Sequence, residues 1–201
     1  MTDAHRYFAT GVSMITSRGN SGDNVMAAEW TMQISYDPML IAIFMHKGSV
    51  TLENILKTKE FGVNVASDEQ SVAISTAGGF SRSEIDKISI TDIFKSIKPK
   101  KIKTKMIQGC TLTAECKLVM KKSIGDHIMI VGKALHVQYD KTKKPLIYHK
   151  NRYFQVGKTI EPDRKKIHLN QSTFDMFEKN QKKKFILKYT DAIIKSRHGV
   201  L

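Results

Sequence analysis

Two long alternating runs near the middle of the chain restrict its fold more than any other feature. Across residues 111–120, Leu112, Ala114, Cys116, Leu118 and Met120 share one face against Thr111, Thr113, Glu115 and Lys117. Across residues 127–139, Met129, Val131, Leu135, Val137 and Tyr139 share one face, interrupted by Lys133, and oppose His136 and Gln138. A period of two is the signature of strands with one face buried. Gly125-Asp126 supplies turn residues between the runs, so the spacing predicts a long antiparallel hairpin.

Shorter strands precede it. Residues 8–17 are β-prone around Gly11, and the turn-rich Arg18-Gly19-Asn20-Ser21-Gly22-Asp23 predicts a hairpin into residues 24–35. Tyr36-Asp37-Pro38 turns the chain into residues 39–45, an apolar run whose lack of alternation predicts burial on both faces. Residues 49–57 read as a short helix with Leu52, Ile55 and Leu56 on one side. Residues 61–65 alternate, with Phe61, Val63 and Val65 on one face, and residues 68–77 form a second short helix stopped by Gly78-Gly79. Many strands with few covering helices predict a mainly β chain closed into a barrel, because closure removes exposed edges. From Ser172 the pattern turns helical, with Ser172 and Asp175 as a capping pair. The expected organisation is a barrel domain over residues 1–160 and a basic helical extension over residues 161–201.

The chain has 201 residues, 41% of them hydrophobic, enough for one substantial core. No run approaches the roughly 18 apolar residues of a membrane span. The N-terminus lacks the basic start and apolar stretch of a secretory signal, which predicts a cytoplasmic protein without membrane contact. Cys110 and Cys116 read as members of one strand, where about 20 Å of extended backbone forbids a disulfide. With no CxxC pair and no histidine cluster, no metal site is expected. Charge is uneven: residues 1–90 carry 7 Lys/Arg against 10 Asp/Glu, and residues 91–201 carry 26 against 9. The basic stretch 95–105 reads as a low-complexity, solvated segment, as does Lys182-Lys183-Lys184, and nucleic acid is not the expected partner.

The best anion site on physical grounds is His46-Lys47-Gly48-Ser49-Val50-Thr51. It joins a buried strand to a helix start, where unpaired backbone N–H groups and the positive end of the helix dipole converge. Lys47 adds charge, and Ser49 and Thr51 add hydroxyl donors.

The stretch Asn24-Val25-Met26-Ala27-Ala28-Glu29-Trp30, followed by Ser35, Pro38 and Leu40, resembles the Asn-x-Met-Thr-Ala-x-Trp…Ser…Pro-Leu pattern of the flavin reductase-like family, the FMN-binding split barrels. Further pieces follow in the family's order: Ser49-x-Thr51-x-x-x-Ile55, Phe61-x-Val63-Asn64, Ser81-Arg82 with Asp86-Lys87, Gly125-Asp126-His127, and Pro145-Leu146-x-Tyr148-His149-x-x-x-Tyr153. The likeness runs over residues 6–157 and is nearest to ferric reductase and flavoredoxin-like members.

The resemblance implies a split barrel in which residues 24–35 line the flavin ring, with Met26, Ala27, Ala28 and Trp30 as the slot, Glu29 among the cofactor-binding positions, and Asn24 and Ser35 at the ends of the segment. It further implies that Lys47, Ser49 and Thr51 hold the FMN phosphate, with Arg82 able to reach it. Tyr153 is expected near the cofactor or a dimer partner, and His127 on the nicotinamide side. The implied activity is hydride transfer from NAD(P)H to flavin, and onward to free flavin, ferric iron or a redox partner protein, in a homodimer. A non-catalytic FMN-binding electron carrier is the alternative, and a basic nucleic-acid-associated protein on a degenerate flavin scaffold is the second. Ala27 and Glu29 depart from the family's usual threonine and small residue. A carboxylate beside the ring opposes negative charge on reduced flavin.

Overall fold

A computed structural model describes residues 3–20 and 22–160. The expected tail helix lies outside the described residues. Twelve strands and two α-helices follow in chain order: β1 (Thr10–Gly11), β2 (Ser13–Ser17), β3 (Asn24–Ala28), β4 (Thr31–Ser35), β5 (Leu40–His46), α1 (Val50–Thr58), β6 (Glu60–Val65), α2 (Ser71–Gly79), β7 (Ser96–Ile97), β8 (Met106–Ile107), β9 (Leu112–Ile124), β10 (His127–Tyr139), β11 (Leu146–His149) and β12 (Arg152–Gln155). Seven strands form the main sheet in the order β3-β2-β6-β9-β10-β5-β4, every pairing antiparallel. Its two outermost strands, β3 and β4, are joined through Glu29 and Trp30, and this mainly β sheet with few helices is a split barrel. A three-stranded sheet, β1-β11-β12, stands beside it.

The barrel interior is filled from both halves of the chain. Ile15, Ile41, Ile43, Met45, Ile55, Phe61, Val63, Ala114, Cys116, Ile128 and Ile130 form one cluster. A second cluster, with Met14, Val25, Ile74, Phe94 and Ile107 among its members, packs α2 and the following loops against the sheet. The continuous apolar run does become a central strand, β5, between β4 and β10. Gly78 and Gly79 lie within the last turn of α2 rather than beyond it.

The two long strands depart from strict alternation. β9 and β10 pair with register shifts between Val131 and Gly132 and between Ala134 and His136. An extra residue in one strand turns the following side chains to the other face. In β9 this moves Met120 out of the core to the surface. In β10 the core face is Ile128, Ile130 and Ala134, and only after the second shift does Val137 join it, while Leu135 is exposed.

The basic stretch is a strap, not a solvated linker. It runs over the outer face of β6 and β9, where Glu115, buried, accepts hydrogen bonds from the N–H groups of Lys100, Lys101 and Ile102. Glu60 takes the N–H of Lys103 at 2.9 Å and the Thr104 hydroxyl at 3.3 Å, and Asn64 Oδ1 takes the Ile107 N–H at 2.8 Å. Gly62 lies beneath: a Cβ there would sit 2.2 Å from Thr16 Oγ1 and 2.6 Å from Met106 Sδ.

Cys110 and Cys116 are free and buried; Cys110 precedes β9 rather than belonging to it. Burial pushes both thiols up to about 12. The thiolate is the reacting species, so both buried thiols stay protonated and slow to react near neutral pH. Native protein is therefore expected to resist a thiol reagent such as dithionitrobenzoate until it is unfolded, with two thiols released in denaturant. Rapid labelling of native protein would contradict this.

Candidate flavin site

Two cavities meet at Met26 and Ala27 on β3. The first, of about 540 Å³, lies between the β5–α1 loop, the end of α2 and the segment that follows it, and its walls include Asn24, Ser49, Thr51, Arg82 and Lys87. The second, of about 640 Å³, is walled by His5, Ala28, Glu29, Trp30, Phe44, His46 and His127.

The anion cavity is organised by the start of α1. Gly48 adopts φ +82°, a left-handed conformation that glycine tolerates, and turns the chain so that Ser49 caps the helix. The Ser49 hydroxyl makes no capping hydrogen bond and faces Met26 Sδ at 3.8 Å. Thr51 is fully buried and accepts a 2.8 Å bond from Asn24 Nδ2. Asn24 Oδ1 is buried without a partner among the described residues, an acceptor suited to a ligand hydroxyl. Arg82 pairs with Asp86 at 3.1 Å and packs so close to Gly22 that a Cβ there would lie 2.7 Å from its guanidinium.

Lys87, assigned no role from sequence, is 2% exposed, and its ammonium donates to the Ala77 and Phe80 carbonyls at 3.0 and 2.6 Å. These bonds tie it to the C-terminal end of α2, where a cation is favoured. Burial holds its pKa below the ordinary lysine value, with the charge of Arg82 acting in the same direction.

The second cavity is aromatic. His127 is flanked by Trp30 at 4.6 Å and His46 at 4.2 Å between ring centroids, and Phe44 stands edge-on to Trp30 at 6.2 Å. His127 Nδ1 lies 2.6 Å from Asp126 Oδ1, a bond that holds the exposed carboxyl below the usual carboxylate range. Glu29 accepts a 3.2 Å bond from the Thr10 hydroxyl and stands between this cavity and a shallower groove of about 420 Å³ that contains Tyr148 and Tyr153.

Of the residues expected from sequence, Asn24, Ser49, Thr51 and Arg82 converge on the anion cavity, and Ala28, Glu29, Trp30 and His127 on the aromatic one. Met26 and Ala27 belong to both. Three stand apart. Lys47 is exposed and is not part of either wall. Ser35 pairs with Leu40, at the opposite end of β5 from His46 and so about 20 Å away along the strand. Tyr153 lies in the shallow groove, within 3.3 Å of the Ser75 hydroxyl. His46, read from sequence only as part of the anion loop, lines both cavities, while the contribution of Phe44 within β5 depends on strand partners that the sequence does not give; the Asp86-Lys87 pair was the available signal for Lys87.

The geometry fits a molecule with an anionic end, a hydroxylated middle and a flat aromatic body. The profile of the flavin reductase like domain matches residues 5–157, and the chain belongs to that family. A flavin reductase from Pseudomonas putida is 25% identical over 149 residues, covering 73% of this chain and 82% of that protein. A ferric-chelate reductase (NAD(P)H) from Archaeoglobus fulgidus is 26% identical over 153 residues, covering 74% and 87%. Among solved structures, the NADH:FAD oxidoreductase SgcE6 of Streptomyces globisporus superimposes with a TM-score of 0.70 at 19% identity, covering 77% of this chain and 90% of its own.

Proposed function

We propose that the chain is an FMN-dependent oxidoreductase that takes a hydride from NAD(P)H and passes electrons to free flavin, ferric iron or a partner protein. The observation that carries this reading is the junction of the two cavities at Met26 and Ala27, an anion pocket opening into an aromatic slot. Ser49, Thr51 and the N-terminus of α1 would hold the phosphate, with Arg82 and Lys87 supplying positive charge. The unpartnered Asn24 Oδ1 would accept from a ribityl hydroxyl. Met26, Ala28 and Trp30 would exclude water from one side of the ring. With Asp126 engaging His127 Nδ1, the other ring nitrogen, Nε2, would face the nicotinamide. The bound flavin supplies the hydride-accepting chemistry, and the chain contributes placement and electrostatics.

The homodimer belongs to the same proposal. Met32 and Ile34 on β4, with Trp30 just before the strand and Tyr36 in the turn after it, are 59%, 47%, 46% and 90% exposed, an apolar row that follows an outermost strand of the sheet across its register shift at Ile34. A second copy is the occupant that best accounts for such a row.

The test is purification followed by anaerobic titration. The expected result is a yellow dimer by light scattering, releasing FMN on denaturation, whose flavin absorbance bleaches with NADH or NADPH. A folded protein that binds FMN but bleaches with neither nucleotide overturns the reductase reading, leaving the electron carrier. Release of FAD overturns the cofactor assignment, and a monomer overturns the dimer.

A further inference from the structure

The strap over β6 and β9 carries charge in an arrangement that the flavin site does not use. Residues 98–105 include five lysines, at positions 98, 100, 101, 103 and 105. From residue 101 onward the strap alternates: Lys101, Lys103 and Lys105 are exposed, while Ile102, Thr104 and Met106 are buried. The backbone bends through residues 100–104 around the Glu115 carboxylate, and burial of every second side chain from Ile102 leaves the intervening lysines on the solvent side. The lysines therefore project outward in a row.

The carboxylates nearest this row do not neutralise it. Glu115 and Glu60 turn toward backbone N–H groups, as described above, and bind the strap from beneath. Among the described residues, Lys105 pairs with Asp23 at 3.2 Å, while Lys98, Lys100, Lys101 and Lys103 enter no ion pair. Lys117 on β9 stands in register with Glu60 and is exposed as well. Two carboxylates thus hold in one shape a segment whose like charges favour spreading apart.

We propose that this strap is a docking surface for an acidic protein partner. An acidic protein face fits better than a nucleic acid. The exposed side chains of residues 98–105 are all lysines, with no aromatic ring to stack a base and no arginine to fork onto a phosphate or a guanine edge. Rows of complementary charge on a firm surface speed encounter and set orientation in brief complexes, the kind suited to electron delivery. That the partner receives electrons rests on the oxidoreductase reading; the docking itself does not.

The test uses the full chain and a fluorescein-labelled deca-glutamate peptide, followed by fluorescence anisotropy. Binding that weakens steeply with salt is expected. Replacing Lys98, Lys100, Lys101 and Lys103 by glutamine is expected to weaken it at least about tenfold, as for charge-steered contacts generally. The triple change of Lys182, Lys183 and Lys184 to glutamine removes comparable charge elsewhere in the sequence and should leave it within about twofold if the strap, rather than net charge, carries the binding.

A further variant separates shape from charge. Glu115→Gln removes a negative charge, and electrostatics alone would then strengthen polyanion binding. The proposal expects the reverse, about threefold weaker binding because the strap is loosened, with circular dichroism unchanged. Stronger binding by Glu115→Gln, or loss of binding confined to the 182–184 variant, overturns the docking surface. Tighter, strap-dependent binding of a 20-nucleotide single strand overturns the partner class. Because the peptide assay involves no flavin, its outcome is independent of the bleaching experiment.

Discussion

Replacing Gly132 with alanine is expected to destabilise the barrel by about 2–3 kcal/mol, the cost of forcing an extra methyl into a packed interior. A Cβ at this position would lie 2.4 Å from Phe61 Cζ and 2.8 Å from Cys116 Cβ. Neither neighbour can retreat: both are completely buried, and the cysteine Cβ is fixed to its backbone. The contact follows from the pairing of β9, β10 and β6, in which Gly132 stands opposite Leu118 beside the register shift, and Cys116 stands opposite Phe61. The measurement is the urea midpoint at constant slope. Combining Gly132→Ala with Phe61→Leu should recover part of the loss relative to the sum of the single changes. An unchanged midpoint in the single variant would show that the interior has room there.

Gly78→Leu is expected to weaken FMN binding by about 100-fold, equivalent to about 2.7 kcal/mol, without unfolding the chain. Gly78 lies in α2 across from Ala27, where both cavities meet, and a Cβ on it would approach the Ala27 Cβ to 3.2 Å. A methyl can be accommodated by a shift of a few tenths of an ångström, so Gly78→Ala should bind flavin almost normally. The larger isobutyl group must enter the junction itself. Stability should hold, because glycine is the poorer helix former by about 1 kcal/mol. Quenching of FMN fluorescence gives the affinity, and the thermal midpoint checks the fold. Normal affinity in Gly78→Leu would place the flavin away from this junction.

Both predictions depend on features of different visibility in the sequence. The anion cavity was legible in part because a strand, a left-handed glycine and a helix start are local events that Gly48-Ser49-Val50-Thr51 encodes within four residues. Lys47 shares that local sequence yet remains outside the cavity walls, because the turn at Gly48 brings forward the residues after it. Asn24 and Thr51 are 27 residues apart, and only the placement of β3 beside α1 joins them in a hydrogen bond. The family resemblance groups Ser35 with Asn24 along the flavin edge. The reversal between β3 and β4, followed by the run of β4 along β5, carries it to the far end of the sheet.

The long hairpin shows the same division. Its alternation and its Gly125-Asp126 turn were sufficient to define two antiparallel strands, since a period of two and a tight turn are properties of consecutive residues. The bulges were not visible, because a register shift depends on what the neighbouring strand allows. They decided that Met120 and Leu135 face outward and that Ile128 and Ile130 fill the core. The basic stretch was counted correctly as charge. Its conformation was decided by Glu60 and Glu115, whose carboxylates lie on two other strands and satisfy its backbone.

By itself, then, the sequence determined the two short helices and the main strands between residues 10 and 139, the barrel class and the residue types available for binding an anion and a flat ring, but not the short strands β7, β8, β11 and β12. Tertiary structure decided which of those residues meet, which face each long strand presents, and that a run of lysines forms a held strap. The reason is physical: periodicity, turns and helix starts are set by neighbours along the chain, whereas register, burial and hydrogen-bond partnership are set by residues that only folding brings near.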